Sequence, residues 1–204
     1  MARAKQYEPG EVVEQALEVF WRQGYGATSI DDLANVSGLS RSSLYGAFGS
    51  KRGLFSAVVD RYLADFTVHI EQLSKGGLDA VVAYFEQLAD GYFRRGCLMV
   101  NGIAELAPSD ADFMHDVDRY RTMIQESFLT ALEIAEADKQ IDPGTAVARS
   151  LLLATQLLGL FVELRTKPVP SDFAASVSSV VAGVESWRIL SFEERLRRRR
   201  VAGH

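Results

Sequence analysis

Apolar residues recur at spacings of three and four almost from one end of this chain to the other, and no run alternates apolar with polar. Such spacing lays a stripe along one side of a helix, whereas a half-buried strand needs a period of two. The expected fold class is therefore all-α. Glycine and proline set the joints. Pro9 opens a first helix in which Val12, Val13, Ala16, Leu17 and Phe20 share a face, and Gly24 and Gly26 break it.

The segment that follows is the most sharply punctuated. Thr28 and Ser29 stand before Asp31 and Asp32 at the spacing of a capping box, which predicts a short second helix with Ile30, Leu33 and Ala34 facing inward. Ser37-Gly38-Leu39-Ser40 then makes a tight break, in which Gly38 can adopt left-handed backbone and Ser40 can cap a third helix over roughly 41–47. Gly49 stops that helix and Ser50 caps a fourth. Leu54, Phe55, Val58, Val59 and Tyr62 close a small three-helix core, and the fourth helix is expected to continue toward Leu73 as a connector.

Two short helices joined by a glycine-containing turn have the dimensions of a helix-turn-helix, whose second helix enters the DNA major groove. Arg41, Ser42 and Ser43 fall in the first turn of the third helix, where base-reading side chains sit, and an arginine can donate two hydrogen bonds to guanine. Thr28, Ser40 and Tyr45 offer hydroxyls, and Lys51 lies at the positive start of the fourth helix, a natural phosphate site. The net charge of −5 opposes so acidic a partner, but between Leu33 and Arg61 there are four basic residues against one acid. The acid is carried elsewhere, which leaves this stretch as the face that favours phosphate.

Gly26-Ala-Thr-Ser-Ile-Asp-Asp-Leu-Ala34 followed by Ser37-Gly-Leu-Ser-Arg-Ser-Ser-Leu-Tyr-Gly-Ala-Phe-Gly-Ser-Lys51 resembles the signature of the TetR family of bacterial regulators. The resemblance covers about the first quarter of the chain. It implies that residues 1–55 form the DNA-binding domain and 56–204 a helical effector-binding and dimerisation domain. It also implies backbone contacts from Thr28, Tyr45 and Lys51, and a homodimer that binds a palindromic double-stranded operator as a repressor released by a small effector. Gly46 and Ala47 depart from the aromatic or histidine residues often found there.

Beyond Gly76 and Gly77, helical patterns are expected over 78–94, 98–106, 111–137, 143–166 and 171–190. The last two are unusually apolar and need cover on more than one side, so pairing of 143–166 and 171–190 across a two-fold axis is the expected dimer contact. Phe85, Leu88, Tyr92, Met99, Ile103, Met114, Tyr120, Met123, Phe128, Gln156 and Leu160 are the candidate lining of a mostly apolar effector pocket. The three methionines would give such a site an adaptable shape.

Arg94-Arg-Gly-Cys-Leu-Met-Val-Asn101 resembles a segment of electrophile-sensing regulators of the same type, and Arg94 and Arg95 could lower the pKa of Cys97. A thiol-based repressor acting through Cys97 is thus one alternative. A helical small-molecule-binding protein that does not read DNA is another. A lone cysteine cannot build a disulfide framework. His69, His115 and His204 lack repeated metal-ligand spacing, with His115-Asp116 reading as a solvated helix start, so neither metal nor cofactor is expected. No catalytic constellation is legible. No run reaches the ~18 continuous apolar residues of a membrane span, and nothing at the amino terminus reads as a secretory signal, so a cytoplasmic protein without membrane contact is expected. Arg3 and Lys5 and the cluster Arg195 to Arg200 could touch DNA or lie solvated at frayed ends.

Overall fold

The computed structural model describes residues 8–89, 96–106 and 110–189. Among these residues every regular element is helical, so the all-α expectation holds. Four helices build the amino-terminal unit: α1 (Pro9–Gln23), α2 (Ile30–Ser37), α3 (Arg41–Phe48) and α4 (Lys51–Ile70). Each of the last three starts on a serine. Ser29 Oγ accepts the Asp32 N–H at 3.1 Å while the Asp32 carboxylate accepts the Ser29 N–H at 2.8 Å, a reciprocal capping box. Ser40 Oγ accepts the Ser43 N–H at 3.1 Å and Ser50 Oγ the Gly53 N–H at 2.9 Å.

The stops are equally local. Gly38 ends α2 in the left-handed conformation, with φ 64°, a geometry that costs glycine no side-chain clash. Gly53 answers a different need: a Cβ there would lie 2.0 Å from the Phe48 carbonyl oxygen, so only glycine lets α4 begin so close behind α3. The inward stripes meet in one core, where Phe20 packs edge-on to Phe55 with ring centres 5.0 Å apart and Leu33 and Leu44 are buried.

A 3₁₀ turn, Glu71–Lys75, ends α4 sooner than the expected run toward Leu73. The larger unit consists of α5 (Gly77–Ala89), α6 (Leu98–Leu106), α7 (Ala111–Ala137), α8 (Ala146–Arg165) and α9 (Pro170–Glu185). The long α7 runs beside α8 and also packs on α5, which in turn lies along α9, while α6 is wedged between α7, α8 and the amino-terminal unit. Its close approach to α7 falls at Gly102, where a Cβ would meet the Phe113 ring at 2.6 Å.

Two further boundaries differ from the sequence expectation. α8 starts at Ala146 rather than Pro143, because Gly144 turns the chain with φ 78° and the starting amides are capped from α7: Glu136 Oε1 accepts both the Thr145 and Ala146 N–H at 2.7 Å. α9 stops at Glu185, short of Leu190. There the chain is tied to other elements, with the Ile189 N–H donating to the Gln140 carbonyl at 2.7 Å and Arg188 ion-paired to Asp79 and Glu185.

Candidate nucleic-acid interface

α3 is held by one buried anchor, Leu44, and turns Arg41, Ser42 and Tyr45 to solvent, with Tyr45 48% exposed. Ser43 is half-buried. Its hydroxyl and that of Ser42 each lie 2.8 Å from Ser40 Oγ, so the three serines form one hydroxyl cluster at the start of the helix. Arg41 is clamped by two nitrogens onto both carboxylate oxygens of Asp31, one helix back. That pair is well exposed, so a stronger acceptor in a groove can exchange with it.

Lys51 opens α4 and lies over the Tyr25 ring, its ammonium 4.3 Å from the ring centre. Partial burial lowers its pKa, opposed by the charges of Glu105 and Asp32. Thr28 departs from expectation. Its side chain is buried and its hydroxyl donates to the Gly24 carbonyl at 2.6 Å, so it braces the turn between α1 and α2 rather than offering a hydroxyl to solvent.

Two connections to the larger unit were not legible in the sequence. Arg52 grips Asp110 with two nitrogens, and Asp110 in turn caps α7 by accepting the Phe113 N–H at 2.8 Å. The guanidinium holds the Asp110 carboxyl below the usual range. Glu105 of α6 accepts the Gly26 N–H at 2.7 Å and lies 3.7 Å from the Arg165 guanidinium at the end of α8. The only sequence hint was Asp110 standing just before a helical run.

Residues 12–58 match the family described as bacterial regulatory proteins, tetR family. The chain is 31% identical over 149 residues to the HTH-type transcriptional repressor ComR of Escherichia coli, covering 69% of this chain and 71% of ComR. The chain belongs to the TetR family. It is also 30% identical over 162 residues to the HTH-type transcriptional regulator YezE of Bacillus subtilis, covering 74% of this chain and 84% of YezE. Among solved structures, the TetR family regulator CifR, as a cysteine mutant complexed with 26-base-pair operator DNA, superposes with a TM-score of 0.78. That match covers 88% of this chain and 98% of CifR at 22% identity, which speaks to fold. Like its relatives, this TetR-family protein is a DNA-binding transcriptional regulator, which sets aside the alternative of a helical binding protein that ignores DNA.

Elsewhere in this TetR-family chain the expected sites look different. Phe85 and Phe128 stack with ring centres 5.6 Å apart, Tyr120 sits 4.8 Å from Phe66, and Leu88, Met99 and Leu160 are buried among them. Ile103, Met114, Met123 and Gln156 are partly buried. Phe85, Leu88, Met99, Tyr120, Phe128 and Leu160 belong to one buried core cluster, and Ile103, Met114 and Met123 pack against it. One surface groove, between α4 and α7, does include Met123.

Cys97 is also placed against expectation. It is fully buried, donates to the Tyr120 hydroxyl at 3.0 Å and accepts from the Tyr62 hydroxyl at 3.2 Å. Burial pushes the thiol pKa up, the reverse of an activated thiolate. Asp116 is no solvated helix start either: it is buried, its pKa is raised by that burial, and Arg119 lies 3.1 Å away. Among the described residues no group of three His, Cys, Asp or Glu could hold a metal. Tyr92, Arg94, Arg95, His204 and both basic ends lie outside the described residues.

Proposed function

We propose that this regulator is a repressor that binds a palindromic operator as a homodimer and lets go when a small effector occupies its larger unit. The observation that carries the proposal is the outward face of α3, which bears Arg41, Ser42 and Tyr45 over the single inward anchor Leu44. In this reading Arg41, Ser42 and Ser43 meet base edges, and Tyr45, Lys51 and Ser40 meet the backbone. Thr28 is given no phosphate through its side chain. The protein acts by binding rather than catalysis, in the cytoplasm where the chromosome lies.

The dimer contact is assigned to α8 with α9. Val147, Leu151, Leu152 and Val162 all stand about half-exposed or more along α8. That helix is long and apolar enough to cross a membrane by length and composition alone, and little of it is buried within one chain. Burial against a second copy resolves this and sets two α3 helices at the spacing of about one DNA turn, roughly 34 Å. Effector control would run through α6 and α7, since Glu105 and Asp110 hold the reader at Gly26 and Arg52. An effector that prefers a shifted α6 or α7 would draw the two readers out of register.

The test is selection of genomic fragments by the purified protein, followed by affinity measurements across salt. A recovered palindrome that keeps its advantage over random duplex as salt rises supports the proposal. Equal retention of all fragments overturns it. Leu151→Glu with Leu152→Glu should sediment as monomer and lose the palindrome, and a dimer that survives both changes overturns the assigned contact.

A further inference from the structure

Behind the reader, the carboxyl-terminal ends of α1 and α8 face one another across a cleft of about 590 Å³, with α6 as its floor. The volume lies in the range of small-molecule sites. Three features of the wall constrain an occupant. Asn101 on α6 is 8% exposed, and its Oδ1 is buried with no hydrogen-bond partner. Trp21 contributes a half-buried indole. Arg22, Arg165 and Lys167 place three cations in the wall against one acid, Glu18.

An orphaned buried amide oxygen is costly, and a half-turn of the Asn101 amide toward the cleft would let an N–H or O–H from a ligand satisfy it. The indole, edge-on to Tyr62 with ring centres 5.3 Å apart, gives the wall an aromatic surface that suits a flat ring. The cations favour a negative charge. We infer that this cleft is a binding site for a planar aromatic anion that carries a hydrogen-bond donor, with the donor on Asn101 Oδ1 and the charge toward Arg165 and Lys167. It is separate from the packed aromatic interior where the effector pocket was expected.

The position gives the occupant leverage. Arg165 also faces Glu105 at 3.7 Å, and Glu105 holds the Gly26 N–H. A Cβ on Gly24 would lie 2.4 Å from Glu105 Oε1, so the carboxylate passes through the turn itself. An anion that takes Arg165 removes one of the contacts that position the Glu105 carboxylate at the turn ahead of α2. This consequence for DNA rests on the proposed function, whereas binding to the cleft does not.

Calorimetry on the full-length protein would use indole-3-acetate, which has the ring, the N–H and the carboxylate. Two controls each remove one feature: indole-3-acetamide lacks the charge and 1-methylindole-3-acetate the donor. Saturable one-site binding of indole-3-acetate is expected, about tenfold weaker for either control. Asn101→Ala should remove the advantage of the N–H and Lys167→Asn part of the advantage of the charge. Lys167 has φ 53°, which asparagine tolerates, so that exposed variant keeps the test valid should the buried one fail to fold. No saturation by millimolar ligand, or equal affinity of all three compounds, overturns the site. Binding without any change in operator affinity leaves the site standing and removes only its coupling to DNA. Failure of the protein to prefer any DNA fragment strikes the proposed function alone.

Discussion

The reader and the body are both helical, yet they are specified in different ways. In the reader, α2, α3 and α4 each start on their own serine, and glycines at 38 and 49 stop α2 and α3. In the body, α8 and α9 start with no side-chain cap of their own, and α8 borrows Glu136 from the preceding helix. Short helices cannot be held by packing alone, because eight residues offer too few inward positions and each unmet amide is a large share of the total. Long helices can. The short helices of the reader are therefore written in local chemistry, while the body, apart from the Asp110 cap of α7, relies on long-range contact.

The sharpest way to break that contrast is at the place where the two units share a side chain. Phe55 touches Phe20 and Tyr25 in the reader, with ring centres 5.0 Å away, and Phe113 in the body at 5.9 Å. Phe55→Ala should cost about 3–5 kcal/mol and lower the unfolding midpoint in denaturant as one transition. Two separated transitions would mean that the units fold independently and that the shared ring couples nothing.

Function should separate the two regions next. Arg41→Ala should lose about 1–3 kcal/mol of binding to the selected operator and relax preference at one base position. Lys51→Ala should weaken all DNA alike and reduce the salt slope by about one. Anisotropy on operator and random duplex distinguishes them, and a uniform loss from Arg41→Ala would move that residue from base reading to phosphate contact. A smaller effect is expected at a cap. Ser50→Ala should cost about 1 kcal/mol, readable by thermal unfolding, since the Gly53 N–H loses its acceptor.

The same contrast explains what the sequence made legible. The helices, the serine caps and the glycine stops of the reader were visible because each depends on residues three or four apart. The Arg52–Asp110 and Gly26–Glu105 contacts span 58 and 79 residues, and no local pattern announces such a pairing. Thr28 offered two plausible uses, and the choice was made by the Gly24 carbonyl. Cys97 looked activated by two neighbouring arginines, but its pKa follows burial beside Tyr62 and Tyr120, which come from distant helices. A periodic stripe shows that a side chain goes inward. It does not show whether it meets a void or another ring, and here Phe85 meets Phe128.

The finest test concerns the pair that belongs to the reader's surface alone. Arg41 and Asp31 are 65% and 54% exposed, and exposed pairs contribute about 0–1 kcal/mol to stability. Asp31→Asn should therefore leave the unfolding midpoint nearly unchanged. Its effect on DNA is different in kind, because Asp31 competes with the duplex for the guanidinium and adds a negative charge beside the phosphates. Removing it should raise affinity about two- to fivefold, within the same energy range, on operator and random duplex together. If affinity instead falls, the carboxylate positions Arg41 for the groove. The energetically slight face of α3 would then be ordered before DNA arrives, which is the property that otherwise distinguishes the packed body from the reader.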